Sequence, residues 1–359
     1  MPARRTRRID LALQGGGAHG AFTWGVLDRL LEDERIEFDA ISGASAGAMN
    51  AVVLADGLAR GGRRGAREAL RSFWSRVSNA TGRGPRAALS APLAPDALAL
   101  LFGQGWLAAT PWSAMLERVG RSFAPAQFNP LNLNPLRDLL AAEVDFERLR
   151  AYRGVRVVVG ATQVRTGQLR EFGHEELSAD VVMASACLPL LFHAVEIDGE
   201  AYWDGGYLAN PSLLPLVAHS ATHDLVLVQI NPSRREAVPR LVPEIADRLD
   251  EITFNGSLVK ELRALALIRR LLREDGADPS RRRAPLFGQI AALRLHRIEA
   301  GEGLARLGAA NRLDAGWAQI SRLHRLGREA AEAWIEHGFA HLGRRSTLPL
   351  EPYLEGIAL

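Results

Sequence analysis

Short apolar runs that stop at glycine alternate with stretches of helical periodicity along the first sixty residues. Ile9 to Leu13 reads as a buried strand ending at Gly15-Gly16-Gly17, and Phe22, Val26, Leu27, Leu30 and Leu31 then recur on one helical face. Phe38 to Ser42 is a second strand, running into Gly43-Ala44-Ser45-Ala46-Gly47, after which an alanine-rich helix carries Met49, Val52 and Val53 toward Leu58. Strand, glycine turn and helix in repeated succession predict a parallel sheet with helical crossovers.

Farther along, Arg60 to Arg67 reads as a solvated Gly/Arg loop. Residues 83–135 are rich in Pro and Gly yet carry Leu98, Leu100, Leu101, Phe102, Trp106, Leu107 and Trp112, which suits a cap or lid insertion better than a linker. Val155 to Val159 is a β-branched run expected in the middle of a parallel sheet. Val195 to Trp203 alternates around Asp198-Gly199, a hairpin signal, and Leu225 to Ile230 is a further buried strand. After Asn231-Pro232 the character changes: 243–273 is helical and arginine-rich, Ile290 to Ile298 reads as a strand, and Trp317 to Leu342 is amphipathic and helical. The expected organisation is a catalytic domain over 9–232 and a mainly helical C-terminal extension over 233–359.

Composition narrows the class. With 47% hydrophobic and 24% charged residues, the 359-residue chain is neither collagen-like nor wholly disordered. Its 44 basic and 41 acidic residues leave a formal charge of only +3, which gives no footing for a nucleic-acid partner and is compatible with an anionic membrane surface. One cysteine, Cys187, excludes an intramolecular disulfide framework and a Cys-rich zinc site. The basic start, Met1 to Arg8, is followed by too short an apolar run for a signal peptide, and no run reaches the ~18 residues of a membrane span. The expectation is a cytoplasmic protein, with peripheral membrane contact compatible with its charge.

Gly43-Ala44-Ser45-Ala46-Gly47 fits the G-x-S-x-G nucleophile elbow, in which small neighbours let the backbone turn tightly and the following helix aims its N-terminal dipole at the serine oxygen. Gly15-Gly16-Gly17-Ala18-His19-Gly20 supplies unhindered N–H groups suited to an oxyanion hole. The same glycines match a dinucleotide fingerprint, but Asp39 lies near the start of its strand, and the serine elbow occupies the end where that fingerprint needs its acid. None of the nine histidines sits in a catalytic-histidine loop. Asp204-Gly205-Gly206, just after the hairpin, reads first as a turn. As a base, a carboxyl near pKa 3.9 would need desolvation and a fixed hydrogen bond.

Taken together, the Gly-rich loop, the G-x-S-x-G serine and the later D-G-G resemble the patatin-like phospholipases, related to cytosolic phospholipase A2-type enzymes. Ala184-Ser185-Ala186-Cys187-Leu188-Pro189 and Asn210-Pro211 extend the likeness, which covers roughly Ile9 to Pro215. The resemblance implies a three-layer α/β/α hydrolase with a mainly parallel sheet. It implies a Ser45–Asp204 dyad without histidine, acting on acyl lipid or phospholipid esters, with oxyanion donors among Gly15, Gly16, Gly17 and Ala46. Gly43, Gly47, Gly20, Gly205 and Gly206 would support those turns, and no cofactor, calcium or other metal is implied. The chain departs from the family at His19, where Lys or Arg is usual; a packing or capping role is the alternative for this residue. A soluble esterase or thioesterase, and a catalytically idle membrane-associated scaffold, are the competing readings. His193, near the hairpin, reads as semi-buried or as part of an acyl pocket, and the basic helices after 240, interleaved with acids, as solvated faces.

Overall fold

Apolar runs bounded by glycine do become parallel strands, in the order the hydrophobic pattern gives. A computed structural model describes residues 6–80, 132, 134–189, 192–235, 237–274, 285–299 and 314–356. The chain opens with β1 (Arg7–Leu13), α1 (Gly20–Glu32), β2 (Ile36–Gly43) and α2 (Ala46–Ala80). There follow α3 (Pro135–Glu143), α4 (Phe146–Ala151), β3 (Arg156–Gln163), β4 (Gln168–Phe172), α5 (Ala179–Ser185) and the hairpin β5 (Val195–Ile197) and β6 (Glu200–Asp204). The remainder is α6 (Leu214–His219), β7 (Asp224–Gln229), α7 (Val242–Glu274), α8 (Pro285–Ala292), β8 (Arg294–Glu299) and α9 (Trp317–Gly338).

These strands form one sheet in the order β5-β6-β3-β2-β1-β7-β8, with β4 on β3. The block from β3 to β8 is parallel, whereas β4 and β6 run antiparallel to β3. Alternation along the strands sorts side chains onto two faces. Ile9, Leu11, Leu13, Val226 and Val228 join α1, α2 and α9 in one apolar core. Ala12, Leu225 and Leu227 join α6, α7 and α8 in another on the opposite face. The expected three-layer architecture is therefore present.

Several local expectations change. Within Arg60 to Arg67 the turn is confined to Gly61-Gly62, where the backbone leaves helical angles and the chain reverses to bring Gly65 against Gly57; the residues on either side are helical. Within Ile290 to Ile298, residues 290–292 end α8 and only 294–299 pair as a strand. Val155 to Val159 does not lie inside a parallel sheet, because β3 is where pairing turns antiparallel. The amphipathic segment from Trp317 stays α-helical only to Gly338, then tightens into a 3-10 turn over Phe339–His341. Most of the expected cap, 83–131 and 133 with the Leu98–Trp112 stretch, lies outside the described residues.

Beyond residue 232 the chain is mainly helical and is threaded into the same layers: β8 extends the sheet and α9 lies along α1. That contact needs glycine. A Cβ at Gly327 of α9 would stand 2.0 Å from the Phe22 carbonyl oxygen, so only a bare α-carbon lets the helices approach this closely. Around it, Trp24 stacks on His324 with ring centroids 3.9 Å apart, and Asp28 accepts from Arg67 at 2.6 Å and from Arg328.

Candidate active site

The elbow sits at the carboxyl end of the parallel strands, where open α/β sheets bind their ligands. β2 ends at Gly43, Ser45 turns the chain with φ 52°, and α2 starts one residue later. A serine in this left-handed region is strained by about 1 kcal/mol or more and persists only where neighbours hold it. The hold is visible: the Ser45 N–H donates to Ser185 Oγ at 3.0 Å, and the Gly47 N–H to the Ala44 carbonyl at 2.8 Å. Ser185 is the last residue of α5, a helix whose start is fixed by the Ser178 side chain accepting from the Val181 N–H. Gly47 lies so near β1 that a Cβ there would meet the Leu13 carbonyl oxygen at 2.1 Å.

The glycine-rich loop leaves β1 beside the elbow. Gln14, fully buried, pins it: its Oε1 accepts from the Ile230 and Asn231 N–H groups at 2.8 and 2.7 Å, and its Nε2 donates to Asn255 Oδ1 at 2.9 Å. Gly15 N–H donates to Asn210 Oδ1 at 2.7 Å. That bond corrects the sequence expectation, since a buried N–H already matched to an amide oxygen is not available to an oxyanion. The N–H groups of Gly16, Gly17 and Ala46 have no such partner among the described residues. Gly17–His19 forms one 3-10 turn, His19 is buried at its end with its N–H on the Gly16 carbonyl at 3.2 Å, and Gly20 opens α1.

Asp204 arrives from the other side, as the last residue of β6 paired opposite Ala161 of β3. Its main chain is fixed at both ends, the N–H on the Cys187 carbonyl and the carbonyl accepting from Thr162 Oγ1, each at 2.8 Å. Gly205 and Gly206 form the following turn, and the Gly206 N–H donates to Asp204 Oδ1 at 2.7 Å. With 1% exposure, burial pushes the Asp204 carboxyl up to about 7, against the opposing pull of the Gly206 N–H and the Ser45 hydroxyl as hydrogen-bond partners. Residues 45 and 204, far apart in sequence, thus share one hydrogen-bonding neighbourhood. Burial, with Asp204 nearby, also pushes the Cys187 thiol up to about 12, where it is inert at neutral pH.

Sequence reasoning missed what Gln14, Ser185, Asn210 and Thr162 do. The Ala184–Pro189 and Asn210-Pro211 segments stood out only by family likeness, and nothing in their composition indicated hydrogen bonds to residues 140 or 195 positions away. Asn210→Ala is expected to strand the buried Gly15 N–H and cost about 1–3 kcal/mol, read as a lowered denaturation midpoint. His193 is half-buried, with its carbonyl accepting from the Cys187 thiol at 3.0 Å. Asp39, the acid of the rejected dinucleotide reading, instead holds Ser220 Oγ and the Ala221 N–H at 3.1 and 2.9 Å. Among the described residues no cluster of three or more His, Cys, Asp or Glu is arranged for a metal, and no helix is long and apolar enough to cross a membrane.

The family model for patatin-like phospholipase matches residues 11–217. Among solved structures, VipD from Legionella pneumophila aligns at 14% identity over 91% of this chain and 66% of its own, with a TM-score of 0.42. The type III effector ExoU aligns at 14% identity over 92% of this chain and 53% of its own, with a TM-score of 0.36. ExoU from Pseudomonas aeruginosa was also solved with SpcU, and that structure aligns at 16% identity over 70% of this chain and 50% of the other, at 0.26. The chain therefore spans between half and two thirds of the length of these proteins. No curated protein matches it. With more than half of its length inside the family model, the chain belongs to the patatin-like phospholipase family.

Proposed function

We propose that the protein is a serine lipid acyl hydrolase working through a Ser45–Asp204 dyad. The observation that carries this reading is the Asp204 carboxyl itself, buried, raised to about 7 and close enough for the hydroxyl of a strained elbow serine to act on it. A base of that pKa is matched to neutral pH, where an ordinary aspartate is too weak. Ser45 Oγ attacks the acyl carbonyl while Asp204 takes its proton, and the N–H groups of Gly16, Gly17 and Ala46 hold the resulting oxyanion. Collapse breaks the ester C–O bond, and the leaving alcohol takes the proton from Asp204. Water then attacks the acyl-enzyme, again giving its proton to Asp204, and the fatty acid departs with Ser45 restored.

The surface beside this site favours a lipid over a small soluble ester. Phe254 of α7 packs on Tyr207 with ring centroids 5.5 Å apart, directly over the turn that follows Asp204. Toward its start the same helix exposes Val242, Ile245, Leu249 and Ile252, spaced to form one apolar stripe. Such an exposed stripe, on the helix that also brings Phe254 to the site, suits contact with a lipid surface. A fluorophosphonate probe is expected to label the folded protein at Ser45 and to leave Ser45→Ala unlabelled. Ester hydrolysis should rise severalfold when substrate is presented in vesicles instead of as a monomeric p-nitrophenyl ester. Absence of labelling overturns the hydrolase; labelling without vesicle enhancement returns the substrate to a soluble ester.

A further inference from the structure

A concave site lies within the C-terminal region, and none of its walls belongs to the dyad or its loops. It is a cleft of about 1040 Å³ between the second half of α7, the β8 edge of the sheet and the chain from Arg344 to Leu354. Six arginines line it against two carboxylates, Glu299 and Glu351. Both acids are already matched, Glu299 to Arg297 at 2.9 Å and Glu351 to Arg273 at 3.7 Å, and Arg294 is forked onto Asp224 at 2.8 and 3.0 Å. That leaves Arg269, Arg344 and Arg345 with no carboxylate partner among the described residues. Among the described residues, the hydrogen bonds of the Arg345 guanidinium go to the two ring nitrogens of His341, at 3.2 Å each. Arg269 is half-buried, and burial together with Arg273 holds its guanidinium below the usual range.

Three cations without a carboxylate contact, Arg269 feeling Glu351 only at a distance, are costly in one concavity unless something negative joins them, because each repels the others and desolvation weakens their contact with water. We propose that this cleft is a binding site for a phosphate-bearing anion, held by Arg269, Arg344 and Arg345. Guanidinium presents a planar fork of N–H donors that meets phosphate oxygens two at a time, and arginine retains its charge throughout the physiological range. Several converging forks suit a group with more than one negative charge better than a single carboxylate. The volume exceeds that of a lone phosphate, and Leu293, Leu350 and Leu354 give the wall an apolar part, so the ligand carries an organic body. A free phosphate ester or polyphosphate and a phospholipid headgroup share this chemistry.

The test uses the full chain in a Ser45→Ala background, so that hydrolysis cannot consume a lipid probe. Calorimetric titration with inorganic tripolyphosphate reports a free phosphate ligand, and flotation with phosphatidic acid vesicles against phosphatidylcholine vesicles reports a headgroup. Micromolar binding of either probe is expected, weakened at least tenfold in Arg344→Gln/Arg345→Gln and further in Arg269→Gln. Arg344 and Arg345 are exposed, so the double variant keeps the fold, and an unchanged melting curve without ligand verifies this. Tripolyphosphate binding identifies the free source; vesicle binding selective for phosphatidic acid, without tripolyphosphate binding, identifies the lipid. Failure of both probes, or binding that neither variant weakens, overturns the site.

Discussion

Asp204→Asn is expected to lower turnover by about 10²–10⁴-fold while the fold survives, because the amide keeps the carboxyl's shape and loses its basicity. The Gly206 N–H still finds an oxygen, so the turn is preserved. In the wild type, kcat/KM should rise with pH through about 7 as the carboxyl ionises, and that limb should vanish from the residual activity of the variant. Stability moves the other way. The folded state holds the Asp204 proton up to about pH 7, whereas an unfolded chain releases it near 3.8. Ionised Asp204 therefore destabilises the fold above pH 7, by about 4 kcal/mol for a shift of about three units, and the penalty fades as pH falls and is absent below about 4. Asp204→Asn should unfold later than wild type at pH 8, with the difference closing by pH 4. Asp10 and Glu261, also raised to about 7 by burial, titrate in both proteins and cancel from the comparison. A variant with near-wild-type turnover would remove Asp204 from the chemistry; equal stability at pH 8 would remove the buried charge.

A second large effect is expected from the smallest substitution. Gly47→Ala places a methyl 2.1 Å from the Leu13 carbonyl oxygen and 3.1 Å from that of Gln14, both backbone atoms that cannot swing aside. Either β1 or the elbow must move, and overpacking of this kind costs about 3 kcal/mol or more when the neighbours are rigid. Since the displaced atoms carry Ser45 on one side and the glycine-rich loop on the other, fluorophosphonate labelling should slow by at least tenfold even in molecules that fold. Gly61→Ala, at the break in α2, meets nothing within 4 Å and serves as the matched control, with a stability change inside about 0.5 kcal/mol. A Gly47→Ala protein with unaltered denaturation midpoint and labelling rate would show that the two backbones do not touch.

Legibility in the sequence followed the locality of the signal. β1, β2 and the β5–β6 hairpin were readable because each is a short apolar or alternating run punctuated by glycine, and Asp198 and Gly199 indeed take positive φ at the turn. β4 was missed because Gln168-Leu169-Arg170-Glu171-Phe172 carries two adjacent charges and only its last residue is buried, so period and polarity both argue against a strand. Its pairing with β3 supplies what propensity does not. The α8–β8 boundary was blurred because an apolar run has no period of its own until a glycine or cap divides it, and Ile290 to Leu293 lacks both. At the site, the serine and the aspartate were visible as residues in turn-forming motifs. The Asn210–Gly15 bond was invisible because it joins two loops 195 residues apart, and only the folded backbone shows that one expected donor is occupied.

The close meeting of α1 with α9 bears on when the molecule becomes competent during its synthesis. A ribosome that has released residue 232 has delivered Ser45, Asp204 and every glycine around them, but the face of α1 bearing Phe22, Trp24 and Gly25 is still bare. That face is closed only when the helix carrying Gly327 emerges more than ninety residues later. Both residues of the proposed dyad are thus made before the last wall of their scaffold, and a nascent chain carries them on an unfinished frame open to chaperones and proteases.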